Sequence, residues 1–172
     1  MNVRRALDWI YDAAGYLAAS FLVGTLAFVL IGIAGRLLNF HLPGTDAYAG
    51  YCMAAAGFLA LAHTLKRGEH IRVTLVLEHV RPAARRWLEL WALGVATSLA
   101  ALFAIYSVRL VWQSIEFNDV STASDATPLW IPQIAMAAGT LVLLVAFIDE
   151  LVAQARGGRR QATHVERPAF LE

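Results

Sequence analysis

Charge is scarce in this chain. Only 16% of its 172 residues are Asp, Glu, Lys or Arg, against about a quarter in a soluble globular domain, so there is too little polar surface to clothe a water-soluble fold of this size. A single cysteine, Cys52, excludes an internal disulfide, and its place in an apolar run suits a small buried hydrophobe better than a reactive thiol. The net charge of +1 supplies no field that would gather nucleic acid. Phosphate-binding glycine loops, paired cysteines at metal spacing, a His-Glu-x-x-His helix and a serine elbow are all missing from the sequence. An independent enzyme is therefore not expected, nor is a bound cofactor or metal. Residues 21–31, FLVGTLAFVLI, show no polar–apolar alternation, which argues against a membrane barrel.

What the chain has instead is four windows without any charge. They lie between Asp12 and Arg36, Asp46 and Lys66, Glu89 and Arg109, and Asp125 and Asp149. Windows of 19 to 23 residues, at 1.5 Å per residue, make helices roughly 28–34 Å long, the thickness of a hydrocarbon core. The expected fold is an all-α membrane protein with transmembrane helices at about 13–35, 47–65, 90–108 and 129–148. These form one domain ending near 152, followed by a mobile tail over 153–172. The first window is preceded by Arg4 and Arg5 but is far longer than a signal-peptide core, so it reads as an uncleaved span.

The stretch from Lys66 to Glu89 joins the two halves. Val73, Leu75, Val76, Leu77 and Val80 make an apolar face too short to span. A short amphipathic helix over about 72–81, lying along the interface and ending before Pro82, is the expected solution. One long helix kinked at Pro82 is the alternative. Six of the fourteen Lys and Arg residues fall in this stretch, two precede the first span and four lie in the tail, whereas Arg36 and Arg109 stand alone in the other two loops. That asymmetry predicts that both termini and the central stretch face the cytoplasm.

Local signals fill in the rest. Ser20 with Gly24, Gly32 a little further on, Gly50 with Ala54, Ala56 with Ala60, and Ala135 with Gly139 offer small-residue faces for close helix approach. Pro43–Gly44 marks a turn, with Thr45 or Asp46 placed to cap the second helix. Pro128 and Pro132 suit the start of the fourth helix, and Trp130 suits the interface. His63 is the one histidine inside an apolar window. No second histidine at matching depth offers haem ligation, so it reads as an interfacial residue with a polar partner. The carboxylates Glu116, Asp119 and Asp125 do not follow a calcium-loop spacing and read as solvated surface.

No carboxylate, Lys or Arg lies inside any window, although coupled transporters and pumps place ionisable groups or broken helices at mid-membrane. The chain thus reads as a scaffold whose partner carries the pathway. An accessory subunit of some other membrane complex, or a small self-assembling exporter, stays open at this level.

Several residues carry a resemblance. Arg36 closes the first span and Asp46 opens the second. The run Lys-Arg-Gly-Glu-His-Ile-Arg-Val at 66–73, with Gly68, Glu69, His70 and Arg72, comes directly after that span. Pro-Leu-Trp-Ile-Pro-Gln at 128–133, with Pro132, opens the fourth span, and Gly139 lies within it. Over about residues 10–152 the chain resembles the small membrane subunit of tripartite ATP-independent periplasmic (TRAP) transporters, the DctQ-like family. It departs at Thr74, where the family often has aspartate, and at Asp46, more often glutamate. The resemblance implies a multi-pass subunit of the bacterial inner membrane with two protein partners, a large multi-span permease subunit and a periplasmic solute-binding protein. It also implies import of organic acids driven by a sodium or proton gradient. Arg36, Asp46, Gly68, Glu69, His70, Arg72, Pro132 and Gly139 become the candidates for structural or partner contact.

Overall fold

The computed structural model describes residues 3–40, 42–67, 82–123 and 126–156. Four helices make up nearly all of it: α1 (Val3–Leu37), α2 (Thr45–Arg67), α3 (Pro82–Glu116) and α4 (Trp130–Ala155). All four are long and apolar enough to cross a membrane, as the uncharged windows require. The expected interfacial helix at 72–81, and Gly68, Glu69, His70 and Arg72 with it, lie outside the described residues.

Two helices run well past the expected spans. α1 and α3 each have 35 residues, about 52 Å at helical rise, so each overshoots a hydrocarbon core of about 30 Å. α1 begins at Val3 because nothing between Val3 and Asp12 breaks a helix; the charges there bound the apolar window, not the hydrogen bonding. α3 is described from Pro82 onward. On α3, Trp91 and Trp112 are 21 residues apart, about 31 Å, and both are exposed. That spacing suits tryptophans placed near the two interfaces of a span.

The helices stand in a row. α1 packs on α2, α2 on α4 and α4 on α3, while α1 only grazes α4. Chain order and spatial order differ because each hairpin keeps its partners adjacent, and α2 and α4 then join the hairpins. Small residues line the joints: ten of the thirteen buried hydrophobic residues among the described residues are alanines, including Ala18, Ala56, Ala104 and Ala146. Bulky side chains point the other way, with Leu22, Val23 and Leu26 on α1 and Leu99, Leu102 and Ile105 on α3 all more than half exposed. In water this inversion would be untenable. In lipid it is the expected solution, because helices associate there by close van der Waals approach and not by hiding apolar surface.

The α1–α2 joint is held along its length. Gly24 faces the Cys52 Sγ, with a notional Cβ 3.4 Å away, and Gly32 faces the Thr45 Oγ1. Phe28 stacks on Tyr48 with ring centroids 5.5 Å apart. Ser20, by contrast, is exposed and bonds its own helix at the Leu17 carbonyl. Gly50 and Ala54 are exposed and nothing lies within 4 Å of a Cβ at Gly50, so that small-residue face meets no other part of the chain among the described residues.

Candidate partner-contact site

The candidate residues fall at different heights along the row. Arg36 and Asp46 meet at the end that carries the α1–α2 and α3–α4 loops. The chain reverses between them through Asn39, with a positive φ of 57°, and Gly44, with φ 87°, a conformation glycine adopts without penalty. The Gly44 carbonyl accepts the Tyr48 N–H, so α2 starts one residue beyond the turn, and Thr45 and Asp46 lie in its first turn. This folding-back brings the Arg36 Nη2 to 3.1 Å from the Asp46 Oδ2. Both side chains are largely exposed, so water screens the pair and its worth to stability is small. Asp46 also complements the positive end of the α2 dipole.

The second loop leans on the same end of α2. Val120 and Pro128 form an isolated antiparallel bridge, the Ser121 N–H donates to the Thr127 carbonyl, and the Leu129 N–H donates to the Asp119 carbonyl. Asp119 accepts from the Ser114 hydroxyl at 3.2 Å, so one of the three loop carboxylates braces the α3 terminus. Two tyrosines of α2 pin the loop: the Tyr51 hydroxyl donates to the Ser121 Oγ at 2.8 Å, and Tyr48 and Thr127 share a hydrogen bond of 3.0 Å between their hydroxyls. Pro132 sits in the first turn of α4 directly after this loop.

Gly139 lies deeper, where α4 crosses α2. A Cβ there would sit 2.5 Å from the Phe58 carbonyl oxygen and 2.6 Å from its carbonyl carbon. The contact is backbone on backbone, so only hydrogen fits. Phe58 itself reaches across to Phe103 of α3, centroids 5.9 Å apart. Gly139 is thus a point of closest backbone approach between the two hairpins.

The far end, carrying the chain termini, holds a network that reading the sequence did not assemble. Lys66 Nζ lies 3.0 Å from Asp8 Oδ1 and 5.5 Å from the centre of the Tyr11 ring. His63 Nδ1 is 3.2 Å from the Tyr11 carbonyl oxygen and 3.7 Å from Asp12 Oδ1, its ring lying against Gly15. The expected polar partner of His63 is therefore the α1 backbone. Tyr11, Ala62 and Ala146 form a buried cluster that ties α1, α2 and α4 together just below. Asp8 and Asp12 at i, i+4 facing His63 and Lys66 at i, i+3 was the available signal. On the other side, Glu89 takes hydrogen bonds from Arg85 on its own helix and from Gln154 of α4 at 2.6 Å.

None of these groups assembles a catalytic constellation. Among the described residues no cluster of His, Cys, Asp or Glu could hold a metal. The polar groups are spent at helix ends, tying neighbours together. Compared with known proteins, residues 25–157 match the family model described as tripartite ATP-independent periplasmic transporters, DctQ component. The chain belongs to the DctQ family. The match spans Arg36, Asp46, the 68–72 run, Pro132 and Gly139, and begins after the α1 residues of the terminal network. No curated protein and no solved structure matches the chain. As a DctQ protein it is a small permease component of a TRAP transporter and a multi-pass membrane protein. The family works together with a large permease subunit and a solute-binding protein.

Proposed function

We propose that this DctQ protein braces the large permease subunit of a TRAP transporter that imports organic acids, such as dicarboxylates, on a sodium or proton gradient. One observation carries the reading. The four spans hold no ionisable group of the kind that binds an ion or a carboxylate substrate in mid-membrane, so the pathway belongs to the partner. The bulky outer faces of α1 and α3 leave ample surface for lipid and for that partner. The protein sits in the bacterial inner membrane with both termini and the 66–89 stretch in the cytoplasm, as the distribution of Lys and Arg favours. Its two short loops then face the periplasm, where the 117–129 loop helps receive the solute-binding protein.

Gly68, Glu69, His70 and Arg72 serve as cytoplasmic contact residues, either within this chain or against the large subunit. Replacing His70 and Arg72 with Ala, then measuring co-purification with the large subunit and solute uptake, tests this role. Reduced assembly or uptake is expected; unchanged values for both would refute it. Neutralising Glu116 and Asp125 while leaving Asp119 intact tests the docking role, and unaltered solute delivery would refute that part.

A further inference from the structure

A pocket of about 290 Å³ opens at the loop end of the α1–α2 joint. It is lined by Ile31, Gly32 and Gly35 of α1, Phe40 and Leu42 of the first loop, Ala47 of α2 and Ala123 of the second loop. Arg36 and Asp46 line it as well. The uncharged part of α1 ends just before Arg36 and that of α2 begins just after Asp46, so the pocket straddles the boundary between hydrocarbon and headgroups. We propose that it holds the headgroup of a phospholipid bearing both a phosphate and a primary ammonium.

Three features select that chemistry. A guanidinium has five N–H donors, and among the described residues Arg36 makes only the one bond to Asp46. Its remaining donors suit a phosphate, which they can grip through two parallel bonds. Asp46 uses one oxygen on Arg36 and leaves the other as an acceptor for an ammonium. A cation and an anion 3.1 Å apart disfavour a simple anion, which Asp46 repels, and a simple amine, which Arg36 repels. A ligand with the opposite charges side by side satisfies both.

Size and surroundings agree. The volume lies just below the roughly 300–1,000 Å³ of pockets that engulf small molecules, so a headgroup enters and the acyl chains stay outside. Leu37 and Leu38, which follow Arg36 and are 80% and 72% exposed, offer those chains an apolar surface. Gly32 and Gly35 let α2 and the first loop approach α1 closely beside the pocket. A Cβ at Gly35 would lie 2.9 Å from the Phe40 carbonyl oxygen and one at Gly32 3.1 Å from the Thr45 Oγ1.

The test uses the full-length protein in nanodiscs of equal parts dioleoyl phosphatidylethanolamine and dioleoyl phosphatidylglycerol, extracted gently and weighed by native mass spectrometry. The expected result is retention of phosphatidylethanolamine over phosphatidylglycerol by about tenfold, with Arg36→Gln and Asp46→Asn each cutting that retention about tenfold, the loss of one charge-assisted hydrogen bond. Ala123→Trp fills the pocket from the other loop and leaves the ion pair in place, and it removes the lipid to the same extent. Millimolar phosphoethanolamine displaces the lipid and millimolar phosphate does not. Equal retention of both lipids, displacement by phosphate alone, or undiminished retention in Ala123→Trp would overturn the assignment.

Discussion

Adding one methyl group at Gly139 should separate the two halves of this protein. The notional Cβ lies 2.5 Å from the Phe58 carbonyl oxygen, 2.6 Å from its carbonyl carbon and 2.9 Å from its Cβ. Real Cβ atoms essentially never come closer than 3.0 Å, so α2 and α4 must move apart by about half an ångström or more. The obstacle is main chain, which cannot rotate away as a side-chain tip can. Overpacking of this kind costs typically 1–3 kcal/mol, against which Ala recovers at most about 1 kcal/mol of helix propensity over Gly. Gly139→Ala should therefore destabilise by about 1–2 kcal/mol and Gly139→Leu by more. Gly50→Ala and Gly57→Ala are the controls, since nothing lies within 4 Å of a Cβ at either position; they should be neutral or stabilising. Unfolding in mixed micelles of rising sodium dodecyl sulfate, tracked by circular dichroism, measures all four. If Gly139→Ala proves as stable as Gly50→Ala, then α2 and α4 do not meet here and the order of helices in the row is wrong.

The helix ends yield further predictions. Tyr48→Phe with Tyr51→Phe removes both hydroxyls that hold the second loop to α2. Hydrogen exchange over 117–129 should quicken by roughly one order of magnitude, about 0.5–1.5 kcal/mol per lost bond, with the helix centres unchanged; unaltered exchange in the loop would show that the tyrosines do not pin it. A double-mutant cycle on Asp8→Ala and Lys66→Ala should return a coupling of about 0.5–1 kcal/mol that shrinks in high salt, as half-exposed pairs do, and a zero coupling at low salt would contradict the pairing. His63→Ala should cost more than Lys66→Ala, because it removes both the bond to the Tyr11 carbonyl and the ring that fills the space over Gly15. Equal losses in the micelle assay would count against that clamp. Arg36→Ala should leave stability within about 0.5 kcal/mol of wild type, since the pair is largely exposed; a larger loss would mean the pair is shielded from water by something beyond the described residues.

The four helices were legible in the sequence because charge is so scarce that its positions delimit the windows. Their ends were less so: Asp8 and Asp12 stop the apolar run but not the helix, and α3 runs to Glu116 because no residue before it breaks the hydrogen bonding. Gly139 could be read as a close-packing position, yet its neighbour, Phe58, could not, since nothing in the composition says which face of α2 meets α4. Arg36 and Asp46 were legible as the flanks of a turn, but the pairing depends on the backbone reversal at Asn39 and Gly44. The small residues Gly50 and Ala54 meet no described neighbour, because a stripe of small residues signals close approach without naming the partner. The network around Lys66 and His63 went unread because its members on α1 and α2 lie far apart in the chain.

Reconstitution of transport puts the bracing role to the sharpest trial. This chain, the large permease subunit and the solute-binding protein should be placed in proteoliposomes together and with each omitted, under an imposed sodium or proton gradient. Gradient-driven uptake of an organic acid is expected only with all three, together with co-purification of this chain with the large subunit. Uptake by this chain alone, or full uptake without it, would contradict the claim that it braces a pathway carried by its partner.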